Sequence, residues 1–552
     1  MKTFLRTGKI LAPVVISAAL LFSGCGNSDN FVFTNSGIVG PGPAPVAAND
    51  SYPALGNATM TQAAAGGVLA NDTLNGGVIS SFDAVGSQGG ALTLNADGSY
   101  SYTPAFNFVG AETFAYTLSN AGGDSTANIT FTSTGLGIFV DNSTDPVGTG
   151  TQADPFDTLA EGLAVANAGD TIVVLRGNGT NTGLSGAVAL GQGIDLIGEG
   201  SGLVLGQTVL PAGLAPVITG PVNCAGDNTV SGFTIEGSAG NGVSIAANNG
   251  NVTVNNNTIS NPTGRHILGT NATGTVTITN NTLSAPPAAG DDFIRVENTD
   301  TNATVVVSNN TFRNDAQNPV DDLCEIRTLG TSVVGTTFSN NVANAATTDF
   351  RFGLFANGSG SSTQTVNVAD NDFRGFTNTP VITNGSSSTS VLTGSISGNT
   401  FASPFSVAIA AQPAGGTLRI AGNMISNAIV TGISLQTEDS DADIIIENNQ
   451  ITGSTDDGVS YFDSDNGNFR IAFRDNTITN SGSDAVDVNW AGANSLCMEF
   501  TGNNFDDLLR LENSGAGTFN VQQLTNLATI NNLNSIVPML TGTINEANCN
   551  IP

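Results

Sequence analysis

Along most of the chain, apolar and polar residues alternate in runs of about four to eight, and Gly, Asn and Asp separate the runs. Alternation with a period of two predicts half-buried β-strands, and no 3.6-residue helical period is sustained. From about residue 228 one phrase recurs: a short β-branched strand, an asparagine, one further residue, then an apolar residue. VTVNNNTI, VTITNNTL, VVVSNNTF, VNVADNDF, LRIAGNMI, IIIENNQI and IAFRDNTI are examples. The aligned asparagines are Asn228, Asn257, Asn281, Asn310, Asn341, Asn371, Asn399, Asn423, Asn449, Asn476 and Asn503, at intervals of 24–31 residues. Self-similarity at such a period predicts a solenoid, and the short β-branched strands make it a β-solenoid. With about 13 coils at about 4.8 Å each, the rod would be roughly 60 Å long.

The asparagines have a structural role in this reading. Asn tolerates the left-handed corner between two strands, and its amide can bond the copies above and below. A second strand precedes each asparagine: NGVSI (241–245), RHIL (265–268), DDFIRVEN (291–298), DDLCEIRTL (321–329), TDFRFGLF (348–355), TPVIT (379–383), FSVAIAA (405–411), TGISLQT (431–437), DDGVSYF (456–462), SDAVDVNW (483–490) and DDLLRLEN (506–513). Residues 138–174 open the repeat. There Asp157 or Thr158 can cap a short helix carrying Leu159, Leu163 and Ala166, which would shield the first coil. This opening resembles the start of bacterial pectin-lyase-like proteins, and the resemblance implies a right-handed parallel β-helix.

Residues 47–135 have a different rhythm. Thr93 to Thr103 read as a hairpin turning at Asp97-Gly98, and Phe114, Tyr116 and Leu118 share one strand face. AANDSY (47–52), VLAND (68–72), LTLNADGSYSYTP (92–104) and FVGAETFAYTLSNAGG (108–123) resemble the cadherin-like, immunoglobulin-like modules of bacterial surface proteins. The resemblance implies a spacer or adhesive β-sandwich, sometimes calcium-bound, with Asn49, Asp50, Asn71, Asp72 and Asp97 as oxygen ligands or simple turn residues. At the N-terminus a basic stretch to Lys9, the apolar run Ile10 to Phe22 and small residues read as an export signal. LFSGC (21–25) resembles a bacterial lipobox with Cys25 as the lipidated residue, and the resemblance implies sorting to the outer membrane. The expected plan is all-β: signal peptide 1–24, flexible linker 25–46, sandwich 47–135, and a single-stranded solenoid 137–552 with a C-terminal cap.

Charge narrows the function. The chain has 14 Lys+Arg against 45 Asp+Glu, for a net charge of −31. Both lysines and Arg6 lie in the first 24 residues, so the remainder carries 11 Arg, no Lys and a charge of −34. That excludes nucleic acid and anionic membrane surfaces as partners; membrane contact would come only through the lipid. The single histidine, His266, excludes multi-His metal centres. Cys224 and Cys324 lie about four coils apart, on the order of 19 Å, too far to bond. Cys497 and Cys549 could join if the tail folds over the last coil.

Four arginines, Arg265, Arg295, Arg327 and Arg351, fall on the second strand of consecutive coils, beside His266, Asp291, Asp292, Glu297, Asp322, Glu325 and Asp349. Asp292, Arg295, Asp322, Glu325 and Arg327 are candidates for acid–base catalysis on a polysaccharide, or for a ladder that neutralises itself. Arg265, His266 and Arg351 are candidate ligand contacts. GDD (290–292) matches one motif of polygalacturonase-like hydrolases, but NTD (298–300) follows it instead of preceding it, and the lysine of their RIK motif has no counterpart. Asp439, Asp441, Asp443, Asp463 and Asp465 could bind Ca²⁺, or serve as hydrated turns. Tyr461 and Trp490 could stack against sugar or be buried. The expectation is a monomeric, lipid-anchored outer-membrane protein of a Gram-negative cell surface. It would have a binding or adhesive role towards glycan or a neighbouring cell. The alternatives are a polysaccharide hydrolase or lyase, and a structural envelope component.

Overall fold

The computed structural model describes residues 42–552 apart from 145–147, 248–249, 285–291, 315–319, 346–349, 386–388, 403–404, 438, 464–465 and 534–537. The expected signal peptide, Cys25 and most of the expected linker lie outside the described residues, as do Asp291, Asp349 and Asp465. The last linker residues do not hang free. Asn120 and Asn75 hold the carbonyls of Pro43 and Ala44, and Val46 bridges to Thr73. The sandwich therefore begins at about residue 43, earlier than the composition suggested.

One sheet of the sandwich is Asp50–Gly56, Val78–Phe82, Gly110–Asn120 and Gly123–Val140. The other contains Met60–Gln62, Ala91–Leu94 and Tyr100–Thr103. The hairpin turns at Gly98, where φ is +84° and a side chain would be strained. Tyr102 stacks on Phe131 with ring centroids 3.9 Å apart. Glu112 is fully buried, yet it accepts bonds from Tyr102 Oη, Gly90 N and Gln88 N at 2.7–2.9 Å, so its burial leaves no unmet polar atom on that side.

The sandwich and solenoid share a strand. Gly123–Val140 pairs with Gly110–Asn120 at one end and, at Gly137–Val140, with the first solenoid strand Thr171–Val174. A solenoid excursion returns the contact: Thr208 pairs with Thr61, and the buried Gln207 bonds Tyr100 and the Pro53 carbonyl. Phe139, Val173 and Val209 belong to the sandwich core. Residue 136 is thus not a hinge.

The helix is Leu159–Val165, capped by Thr158 with Glu161 reciprocating, a full capping box. From there three parallel sheets wind through about 13 turns. Sheet A holds the strands before each asparagine, such as Val252–Asn255 and Gly274–Thr279. Sheet B holds the short strands after it, such as Thr258–Ser260 and Thr282–Ser284. Sheet C holds the second strands, from Val243–Ile245 through Ile294–Thr299 and Val320–Leu329 to Leu508–Asn513. Inward rows of Val, Ile, Leu and Phe form one continuous core.

The asparagine column is real but differs from its expected form. Asn257 donates its side-chain amide to Asn281 Oδ1 (3.2 Å) and to the Val230 carbonyl (2.9 Å), and the same pattern repeats coil by coil to Asn531. Asn228 does not belong to it: Phe233 stands in that place and donates its N–H to Asn257 Oδ1, while Asn228 caps the chain at Gly191 and Ile194. The ladder asparagines are not left-handed either. From Asn257 to Asn503 the residue before each one is: Asn256, Asn280, Asn309, Asn340, Asp370, Gly398, Gly422, Asn448, Asp475 and Gly502 all have φ of 53–69°. Two adjacent positions divide the work, one turning the corner and one bonding across coils.

Cys497 and Cys549 form a disulfide with a Cα separation of 5.5 Å. It fixes the tail along sheet A, where Arg470 and Arg474 hold the carbonyls of Asn550, Ile551 and Pro552. Cys224 and Cys324 are buried free thiols. Among the described residues no helix is long and apolar enough to cross a membrane.

Candidate functional site

Alternation along sheet C decides what faces out. In Ile294–Thr299 the odd side chains Arg295 and Glu297 point away from a core of Ile294, Val296 and Asn298. Register then stacks Arg295 on Glu325 and Glu297 on Arg327. Arg295 Nε lies 2.9 Å from Asp292 Oδ2 and also pairs with Glu325. Arg265 Nε reaches Asp292 at 3.1 Å, Arg327 Nε reaches Glu325 Oε1 at 2.6 Å, and Arg327 touches Glu297 at 3.5 Å. Asp322 completes the group: oxygens of Asp292, Asp322 and Glu325 all lie within 4.8 Å of one another.

The three acids are almost sealed, at 1%, 3% and 1% exposure. Burial pushes Asp292 up to about 6, with Glu325 adding to the rise and Arg295 and Arg265 opposing it. Asp292 Oδ1 is buried without a hydrogen-bond partner. Three guanidiniums already pair with two of the three carboxylates, Asp292 and Glu325, and Arg295 bridges these two. A divalent cation there would face a set that is neutralised, so the donor set does not fit one. A sugar could not touch these oxygens without first breaking the pairs.

The other candidate residues scatter. His266 is buried, stacked on Phe293 at 4.6 Å, with Nε2 2.9 Å from the Ser284 carbonyl. Burial pulls it down to about 4, so it stays neutral and belongs to the core rather than to a ligand site. Arg351 is exposed and sits over the Phe352 ring at 4.9 Å, one coil beyond the cluster. Tyr461 and Trp490 are buried at 1% and 0% exposure; as inward residues of sheet C they offer no face to a sugar. Tyr461 instead donates to Asp463 Oδ2 at 2.8 Å inside the solenoid.

The acidic loops do not converge. Asp439 accepts from Asn466, Asp441 from Asn468, and Asp443 from Arg470 Nε and Nη2, each at 2.6 Å. Each carboxylate is spent on the neighbouring coil in register, and Asp463 points inward. The expected five-aspartate calcium site is therefore not assembled by the described residues. A different acidic group, Asp457, Asp484 and Asp487, gathers near the far end of sheet C. Arg510 pairs with Asp484 at 2.7 Å, and burial with the surrounding acids pushes Asp457 up to about 6.

Sequence reasoning missed what lies between these two charged groups. Following the outward row from Glu325, the next residues are Phe355, Ile382, Ala410, Ser434 and Ser460. The parallel row from Arg327 continues as Asn357, Asn384 and Gln412. A groove of about 310 Å³ lies there, lined by Ile382, Asn384, Ala410, Gln412, Ser434 and Gln436 among others. The signal was present in the outward positions of TPVIT, FSVAIAA and TGISLQT, but these residues carry no charge to attract notice.

The fold is a parallel β-solenoid fused to an N-terminal β-sandwich. Residues 43–135 match the family model of the bacterial cadherin-like domain. No curated protein matches the chain. Among solved structures, the chain is similar to the catalytic unit of a thermostable GH87 α-1,3-glucanase from Streptomyces thermodiastaticus, with 13% identity, a TM-score of 0.36, and coverage of 83% of this chain and 76% of that one. It is also similar to XylC in complex with xylose, with 10% identity, a TM-score of 0.23, and coverage of 68% and 69%. Neither likeness carries an argument about function.

Proposed function

We propose that this protein binds carbohydrate at a bacterial cell surface without cleaving it, using the outward face of sheet C. One observation carries the reading: in the arginine-rich cluster Asp292 and Glu325 are sealed and held by Arg265, Arg295 and Arg327, and in the other acidic group Asp457 and Asp484 are buried, with Asp484 paired to Arg510. A catalytic acid has to meet its substrate. The lipobox-like LFSGC and the rigidly fused sandwich support display away from a membrane. Retention of the protein by immobilised polysaccharides, scored over a glycan panel with and without Ca²⁺, tests the binding. Mass spectrometry of the mature N-terminus tests lipidation of Cys25, with an unmodified or differently cleaved terminus counting against display by an anchor.

A hydrolase is the second reading, and one observation favours it. Asp292 titrates near 6 beside two further carboxylates, and a raised carboxylic acid next to an ionised one is the pairing that glycoside hydrolysis uses. Release of sugar from a polymer, lost in Asp292→Asn, would establish it.

A further inference from the structure

We infer that the ligand of sheet C is an uncharged, extended polysaccharide seated over Phe355, Ile382, Ala410 and Ser434, with its long axis along the solenoid. This rests on the carbohydrate reading above and names its substrate class. The floor is a row of apolar and small side chains, each half-buried and facing outward. Beside it runs a row of amides, Asn357, Asn384 and Gln412, with Gln436 exposed at its end. A largely apolar floor edged by a few placed polar groups is how small-molecule sites are built. Sugars match that pattern, because their rings have apolar C–H faces and their edges carry hydroxyls.

Amides suit hydroxyls because each offers both donors and acceptors. Asn357 and Asn384 are half-buried; their Oδ1 atoms are themselves sealed without a hydrogen-bond partner, so a ligand would meet these side chains through their exposed parts. The amides repeat at the coil spacing of about 4.8 Å, close to the length of one sugar unit in an extended polymer. A polymer lying along the axis would thus meet the same pair of rows at each unit.

Charge excludes the acidic polymers. The groove lining has no charged side chain. A polymer continuing along the rows would meet Asp457, Asp484 and Asp487 against a lone Arg510 at one end. At the other end, Arg265, Arg295 and Arg327 are committed to their carboxylates. The chain as a whole carries −31, and an anionic chain would be repelled.

The test uses the full chain in affinity electrophoresis. The gels would contain a β-glucan, an α-glucan, xylan or galactomannan, and, as anionic arms, polygalacturonate or alginate. At least one neutral polymer should retard the protein, and the anionic ones should not. Ala410→Trp, which fills the floor, should abolish retardation. Gln436→Ala, on the exposed rim, should weaken it by about threefold to tenfold, the loss of one hydrogen bond. Arg374→Ala, just beyond the sheet B strand Asp372–Phe373, should change nothing. Far-ultraviolet circular dichroism and the melting temperature confirm that each variant folds. Retardation by anionic polymers alone would overturn the uncharged ligand while leaving carbohydrate binding intact. Neutral binding that survives both groove variants would overturn the location. If no polymer retards the protein, the carbohydrate reading falls and this inference with it.

Discussion

Sheet C treats neighbouring coils in opposite ways. Between Arg265 and Arg327 its outward rows are crowded with charge, nearly all of it paired and much of it buried. Between Phe355 and Ser434 the same rows hold no charge and leave a groove. Both stretches belong to one parallel sheet, with a single register shift between Phe350 and Phe352 where the second begins. The first stretch looks like an active site because charges cluster there, but the cluster is closed on itself. The second stretch looks like filler, and it holds the open groove to which the proposed ligand is assigned. Clustered charge marks a place where something must be balanced; whether a ligand or the protein does the balancing depends on burial and geometry.

That contrast can be broken at several points. The largest effect should come from Arg295→Met, which removes the bridge between Asp292 and Glu325. Leaving two buried carboxylates underpaired should cost about 3–5 kcal/mol in chemical denaturation. Glycan retention by the folded fraction should persist. A loss below about 1 kcal/mol would mean that the cluster is solvated and open to ligands.

A smaller loss is expected from the ladder that holds both stretches in register. Asn341 donates to Asn371 Oδ1 and to the Val307 carbonyl, and accepts from Asn310. Asn341→Ala should destabilise by about 2–3 kcal/mol, since it strands buried partners on both sides. The neighbouring Asn340→Gly should cost little, because φ there is +54° and glycine adopts it freely. Equal losses at the two positions would contradict the division of labour between them.

The smallest effect concerns pH and lies in the sandwich. Burial, with Asp72 beside it, pushes Asp50 up to about 7. The folded state then holds a proton that the unfolded chain gives up near 4. Stability contributed by this group should be full below about pH 4, fall as pH rises to about 7, and level off above. Asp50→Asn should flatten that slope in melting curves taken from pH 4 to 8; an unchanged slope would refute the shift.

Much of this fold could be read from spacing. The period between asparagines gave the solenoid, the Leu159–Val165 helix was expected at its start, and the Cys497–Cys549 pairing was among the options geometry left open. Asn228 was misaligned because a sequence phrase cannot tell a ladder residue from a capping one; only the bonds to Gly191 and Ile194 separate them. The shared strand Gly123–Val140 was invisible because alternation continues smoothly through residue 136. At the site, residue type pointed to the charged cluster but could not show that Asp292 and Glu325 are covered. Tyr461 stands at an odd number in a strand whose odd positions face inward, and Trp490 at an even number in a strand whose even positions do, a parity that depends on register.

The central claim is binding without turnover, and product release tests it most directly. The purified protein would be incubated with each polymer that retains it, at pH 5 to 7, where Asp292 titrates, and new reducing ends or unsaturated ends would be measured over hours. The account predicts retention with no product at any pH, in the native chain and in Asp292→Asn alike. Oligosaccharide release that rises with protonation of a group near pH 6 and disappears in Asp292→Asn would contradict it.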